Sequence, residues 1–290
     1  MRNRMTGLIA AATLACFSTF AFAQAPAFPP VTMQKLKDNV YAANGGGGTS
    51  TVIIGQNGVI VVDGKNREPD GKQLVEEIGK LTNKPITTVI FTHSDPDHTR
   101  GLQGFPKGMH LTIIAHENDK KELDEDMAKG GQQSPPKEYL PNKLVTQERE
   151  NITVEGVKMT LIHVANAHTS GDLAVYFPDY KLIASGDLLA DGDPGIHLFK
   201  NGSSEGWIKF VSALVDLDAD TYVRGHAAVG TREQARQALA NAIAKRGKIA
   251  DLVTQGKSLD EIKQALGEPV KAAGRFETFT ETTYQELTKK

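Results

Sequence analysis

Residues 92–98 read Thr-His-Ser-Asp-Pro-Asp-His, and no other stretch of the chain limits the possible fold as tightly. Four groups able to hold a cation, His93, Asp95, Asp97 and His98, fall within six positions. They follow an apolar run, residues 87–92 (TTVIFT), that reads as a buried strand. Two carboxylates and two imidazoles crowded at a strand end are costly to desolvate without a compensating charge, so the pattern calls for bound metal. Alternate side chains of an extended segment point the same way. His93 and Asp95 can therefore face one ion while Asp97 and His98, beyond the bend, face a second. Pro96 helps by fixing its own φ and biasing Asp95 toward extended geometry.

Composition narrows the chemistry. The single cysteine among 290 residues is Cys16. It lies in an N-terminal segment, residues 1–23, that opens with Arg2 and Arg4, runs uncharged and largely apolar from Met5 to Phe22, and ends in Ala21-Phe22-Ala23. That is the pattern of a secretory signal peptide with an A-x-A cleavage site. Residues 24–290 are then expected to form one periplasmic or secreted domain with neither disulfides nor thiolate ligands. The full chain carries a formal charge of −2, and losing two arginines makes it −4, which gives no drive toward a nucleic acid partner. No later stretch approaches the ~20 apolar residues needed to span a bilayer, so no membrane contact is expected after cleavage.

Strands and helices alternate along the remainder. Residues 40–43, 51–54 and 59–62 read as strands, the last two joined by a tight Asn57-Gly58 hairpin turn. A helix to Leu81 begins near Pro69-Asp70 and carries Leu74, Val75, Ile78 and Leu81 at helical spacing. A strand at 111–115 and a charged helix at 117–129 follow, with Glu122 to Asp126 read as a solvated face. The Gly/Pro-rich loop 130–141 is expected to be mobile and to border a site. Two hairpins come next, 152–154 with 157–164 and 173–177 with 181–185. A helix at 204–217 with Trp207, Phe210 and Leu214 on its apolar face, a strand at 221–224 and a helical segment from Thr231 complete the pattern. The expectation is one α/β domain with helices outside antiparallel-rich sheets and a helical C-terminal extension.

Three further segments place a His or Asp where a strand gives way to a glycine-containing loop: Ala167-His168-Thr169-Ser170-Gly171-Asp172, Ser185-Gly186-Asp187, and Arg224-Gly225-His226. In this order, with the first cluster and with Val61-Val62-Asp63-Gly64 upstream, the chain resembles the metallo-β-lactamase-fold hydrolase superfamily over roughly residues 40–230. The pattern of that superfamily is H-x-H-x-D-H, then a His, an Asp and a His. The resemblance implies a four-layer αβ/βα sandwich with its site at one rim between two sheets, holding two divalent metal ions, zinc being the expected one. By the same resemblance His93, Asp95 and His168 would bind the first ion, Asp97, His98 and His226 the second, and Asp187 would bridge both. A shared hydroxide would be the nucleophile, Asp97 the catalytic residue that orients it and passes a proton to the leaving group, and Asp63 a support behind the metal loop.

Asp95 departs from the pattern, standing where the superfamily usually has His. With two divalent ions and a hydroxide, Asp95, Asp97 and Asp187 would make the site electrically neutral, which weakens its attraction for anions. An oxygen ligand also admits manganese or iron at the first position, and a one-metal site that leaves Asp95 out remains an alternative. The activity implied is hydrolysis of a small ester, thioester, lactone or related carbonyl or phosphoryl compound. β-Lactam hydrolysis fits less well, because one such design needs a cysteine ligand and another a His where Thr99 stands. An iron-dependent oxidoreductase, suggested by relatives with Glu at the Asp95 position, and a non-catalytic metal binder are the remaining alternatives. Among the other residues, His110, His116 and His163 are read as structural or exposed, and His197 as a candidate substrate contact. Asp172 is read as tying down its own turn, and Gly45 to Gly48 as a hairpin tip near the site.

Overall fold

The structure, a computed structural model, describes residues 28–271 and 276–289. The signal-peptide reading of residues 1–23 lies outside the described residues. Among those described, no helix is long and apolar enough to cross a membrane.

Two sheets form the centre. The first has seven strands in sequential order: β1 (Thr32–Lys37), β2 (Val40–Asn44), β3 (Ser50–Ile54), β4 (Val59–Val62), β5 (Ile86–Ile90), β6 (Thr112–His116) and β7 (Lys143–Val145). It is antiparallel through β4 and parallel from there on. The second sheet comprises β8 (Arg149–Val154), β9 (Val157–Ile162), β10 (Ala174–Phe177), β11 (Leu182–Gly186), β12 (Thr221–Arg224) and β13 (Gly230–Thr231). The helices are α1 (Glu68–Leu81), α2 (Pro96–Thr99), α3 (Glu117–Ala128), α4 (Ser204–Val215), α5 (Arg232–Thr254), α6 (Leu259–Leu266) and α7 (Phe279–Thr288).

Period-two alternation explains the layering. In β4, Val59 and Val61 join Leu74 and Ile78 of α1 and Leu123 of α3 in one apolar cluster. Ile60 and Val62 point the other way, into a second cluster shared with Met159, Leu161, Val175, Phe177 and Leu182 of the opposite sheet. The outer face of that sheet, through Ile162, Ala174, Ile183 and Tyr222, packs on Trp207, Phe210, Val211 and Leu214 of α4 and on residues of α5 and α7. Three stacked cores require four layers, and the expected αβ/βα sandwich is the fold found.

Several local expectations change. β1 and the short edge strand β7 had no sequence signal: β1 is mostly exposed and is held by its pairing with β2. The 87–92 strand stops at Ile90, although Phe91 N–H still donates to the Ile114 carbonyl at 2.9 Å and its ring joins the first apolar cluster. The 130–141 loop makes specific contacts at both ends. Asp126 accepts from the backbone N–H groups of Gln133 and Ser134, and the buried Tyr139 hydroxyl donates to the Phe105 carbonyl.

Candidate metal centre

Every ligand candidate sits at the end of a strand on one rim. The loop after β5 carries His93, Asp95, Asp97 and His98; the β9–β10 loop carries His168; Asp187 follows β11 and His226 follows β12. Backbone hydrogen bonds tie these loops across the two sheets, from Leu173 N–H to the Thr92 carbonyl at 2.7 Å and from Thr49 N–H to the Gly225 carbonyl at 2.7 Å. Pro96 starts the one-turn α2 with Asp95 extended at φ −66°, ψ 146°, and His98, within that turn, brings its ring to 4.2 Å from that of His93. Glycine is required before His226, since a Cβ on Gly225 would lie 1.9 Å from Asp187 Oδ1.

Asp63 organises two imidazoles. Its carboxylate accepts from Thr92 N–H and Thr92 Oγ1–H, both at 2.8 Å, and from His98 Nδ1 at 2.8 Å. With its proton given to Asp63, the Thr92 hydroxyl can only accept from His93 Nδ1, 3.0 Å away. The Gly195 carbonyl likewise fixes a proton on His168 Nδ1, at 3.0 Å. All three imidazoles are thereby held with Nε2 turned toward the shared space.

That space demands a cation. His98 Nε2 and His226 Nε2 face each other at 3.4 Å. His93 Nε2, His197 Nδ1 and Asp187 Oδ1 are buried without a hydrogen-bond partner among the described residues. Three triads of candidate ligand atoms lie within 4.8 Å of one another: His93, His168 and Asp187; Asp95, His168 and His197; Asp97, His98 and His226. Asp187 Oδ2 is 3.9 Å from His93, 3.8 Å from His168 and 3.2 Å from His226, and its Oδ1 is 3.2 Å from His98, so it stands between the outer two triads. This donor set of imidazoles and carboxylates suits a divalent transition ion.

Electrostatics point the same way. Burial alone would raise Asp95 and Asp187, yet the surrounding imidazoles, His93 and His168 for the first and His98 and His226 for the second, hold both well below the usual carboxylate range. Asp97 is lowered too, with contact to His226 overcoming burial. Burial opposes protonation of His168, but Asp95 and Asp187 bring it to about 9. Contact with Asp187 and Asp97 raises His226 to about 9. A site this rich in negative charge holds protons until a metal ion displaces them.

Three neighbours escaped the sequence reading. Lys200 Nζ lies 2.5 Å from Asp95 Oδ1 and donates to Ser94 Oγ at 2.6 Å. Its ammonium is a partner for Asp95 that a count of ligand charges leaves out. Glu122, expected on a solvated helix face, instead accepts from Ser94 and from Ser170 and lies 3.4 Å from Lys200, knitting the two ligand loops to α3. Lys65 is buried, and its ammonium donates to the carbonyls of Ala43, Gly45 and Gly48 at 2.5, 3.0 and 2.6 Å. It thereby fixes the glycine turn near His98. Charged residues in loops, or on a polar helix such as α3, add nothing to apolar periodicity, so only the fold reveals these contacts. Asp172 ties its own turn as expected, accepting from Thr169 N–H and Oγ1. His116 and His163 stack at 3.8 Å as structural residues, and His110 is exposed.

A family profile described as the metallo-beta-lactamase superfamily matches residues 43–226, which include every ligand candidate named above. The chain belongs to the metallo-beta-lactamase superfamily. Superfamily members bind divalent metals. It is 27% identical over 200 residues to the alpha subunit of 2,4-dinitroanisole O-demethylase from Nocardioides sp. (strain JS1661), covering 68% of this chain and 58% of that one. It is also 27% identical over 173 residues to the type 2 metallo-beta-lactamase of Elizabethkingia meningoseptica, covering 57% and 65%. The chain thus spans less than two thirds of these relatives. Among solved structures, the sec-alkylsulfatase Pisa1 from Pseudomonas sp. superposes with a TM-score of 0.69 at 16% identity, over 89% of this chain and 50% of that one. The metallo-beta-lactamase from Pontibacter korlensis superposes with a TM-score of 0.63 at 14% identity, over 73% and 98%.

Proposed function

We propose that this protein hydrolyses a small ester, thioester, lactone or related carbonyl, phosphoryl or sulfuryl compound at a centre of two divalent ions, zinc being the ion that best suits its imidazole-rich donor set. The observation that carries this reading is the set of inward-facing imidazole nitrogens, some unpartnered, around Asp95, Asp97 and Asp187. His93, His168 and Asp95 would hold one ion, His98, His226 and Asp97 the other, with Asp187 between them. When bound, such ions polarise the scissile group and make water acidic enough to attack near neutral pH.

The chain's own residues do the rest. Asp97 and His226 are the more accessible of the group, their side chains 25% and 40% exposed, so substrate approaches from their side. A cleft of about 500 Å³ opens there, bordered by Gly48, Asp191, Gly225 and His226. Asp97, ionised and 2.9 Å from His226, accepts a proton from the attacking water and returns it to the departing group. The composition of residues 1–23 supports export, and the reaction would then take place in the periplasm or outside the cell.

The relatives' names include β-lactam, sulfate ester and aryl ether substrates, so a defined panel decides among them. Zinc-loaded protein assayed on p-nitrophenyl carboxylate, phosphate and sulfate esters, a thioester, a lactone and a chromogenic β-lactam should hydrolyse at least one. That activity should disappear with chelator and fall about 100-fold or more in Asp97→Asn. Turnover that survives complete metal removal, or is unaffected in Asp97→Asn, contradicts the proposal.

A further inference from the structure

The geometry points to His197 as a metal ligand outside the superfamily's ligand pattern, forming with Asp95 and His168 a divalent cation site that replaces the imidazole lost at position 95. This rests on the two-ion reading above and deepens it.

Asp95 Oδ2 is the focus. It lies 3.1 Å from His197 Nδ1, 3.2 Å from His168 Nε2 and 3.3 Å from His93 Nε2. Ligands bound tetrahedrally at zinc distances are separated from one another by about 3.3 Å. His197 Nδ1 has no hydrogen-bond partner and is buried, although the side chain as a whole is 12% exposed. Its inward nitrogen is thus aimed at Asp95 without the direction of a hydrogen bond. A simple ion pair does not account for this arrangement, since Lys200 already neutralises Asp95 through Oδ1. The lysine leaves Oδ2 for a second positive partner, and the imidazoles that converge on that oxygen supply neutral donors for a cation.

The backbone builds the position deliberately. His197 N–H donates to the His168 carbonyl at 2.8 Å, while the Gly195 carbonyl accepts from His168 Nδ1. These bonds tie the two residues together, with ring centroids 4.3 Å apart. Behind His197, Phe199 stacks on the ring at 4.9 Å and Phe276 at 4.7 Å, fixing its plane.

Zinc and cobalt(II) titrations of metal-free protein test this without any assay of turnover. Chelator competition should show that His197→Ala and His197→Gln weaken one of two zinc equivalents by about 10- to 100-fold and leave the other unchanged. The visible band of the first cobalt equivalent should shift in both variants. Asp95→His introduced into His197→Ala should restore tight binding, because it returns the imidazole that the superfamily pattern supplies. The thermal melt of each metal-free variant serves as the folding control, and if His197→Ala melts early the comparison is read on His197→Gln. Wild-type zinc affinity and an unchanged cobalt spectrum in the His197 variants overturn the inference while leaving the two-ion reading intact. A wild-type protein that takes up no zinc overturns both.

Discussion

A single carboxylate, Asp63, sets the proton positions on which the site depends. It sits at the end of β4 in the left-handed region, φ +67°, a conformation that costs a non-glycine residue energy and that the surrounding hydrogen bonds hold in place. Asp63→Asn keeps the size but presents an N–H₂ group to His98, which then accepts on Nδ1 and carries its proton on Nε2, where a metal ion would bind. The account predicts a loss of about 10- to 100-fold in zinc affinity at the site of Asp97, His98 and His226, read by chelator competition, with little change in the fold's circular dichroism. Unchanged affinity would show that the Asp63 contact does not set the tautomer. At this scale the sequence was most informative: the spacing of His93, Asp95, Asp97 and His98 already implied two facing groups. Lys200 and Glu122 were invisible because their roles depend on loops and a helix brought together only by the sandwich.

Elements carry the site through their ends. The helix α3 starts at His116, whose Nδ1 accepts from Asn118 N–H at 3.3 Å, a capping role that a protonated imidazole loses. Burial, with the neighbouring His163, lowers His116 to about 4. Its folded value lies below its unfolded one, so the unfolded chain binds the extra proton first. The stability it contributes is complete above about pH 6.5 and is lost as pH falls toward about 4. Urea unfolding across that window should show a steeper decline in wild type than in His116→Asn, which caps without titrating; identical slopes would refute the lowered titration of His116. Lys65 performs a different task at the β2–β3 turn. Lys65→Met strands three carbonyls that the ammonium now satisfies and should lower unfolding free energy by about 1–3 kcal/mol in urea. A variant as stable as wild type would mean water replaces the ammonium fully. Most elements were readable from apolar periodicity, as α4 shows with Trp207, Phe210 and Leu214 all buried. β1 and β7 were not, since edge strands draw their order from a neighbour and need no apolar face of their own.

For the whole molecule, the three apolar layers and the metal centre are separate sources of stability that meet at one rim. The sheets bring β5, β11 and β12 to the same edge, and like-charged carboxylates collect there, a concentration that opposes folding unless cations bind. Metal ions that bind the folded chain alone should therefore raise its melting temperature in proportion to the logarithm of their free concentration, and calorimetry with and without zinc measures that slope. A melting temperature indifferent to zinc would mean the rim is stable on protons alone. The α/β class followed from the apolar runs, whereas the order of the candidate ligands came from the resemblance to the superfamily pattern, since a His or Asp after a strand says little alone. The most direct test of the central claim is elemental analysis of metal per chain on protein purified without chelator, alongside Asp187→Asn. The account predicts two equivalents in wild type and a clear loss in the variant. No metal in the wild type, or the same content in both, would contradict it.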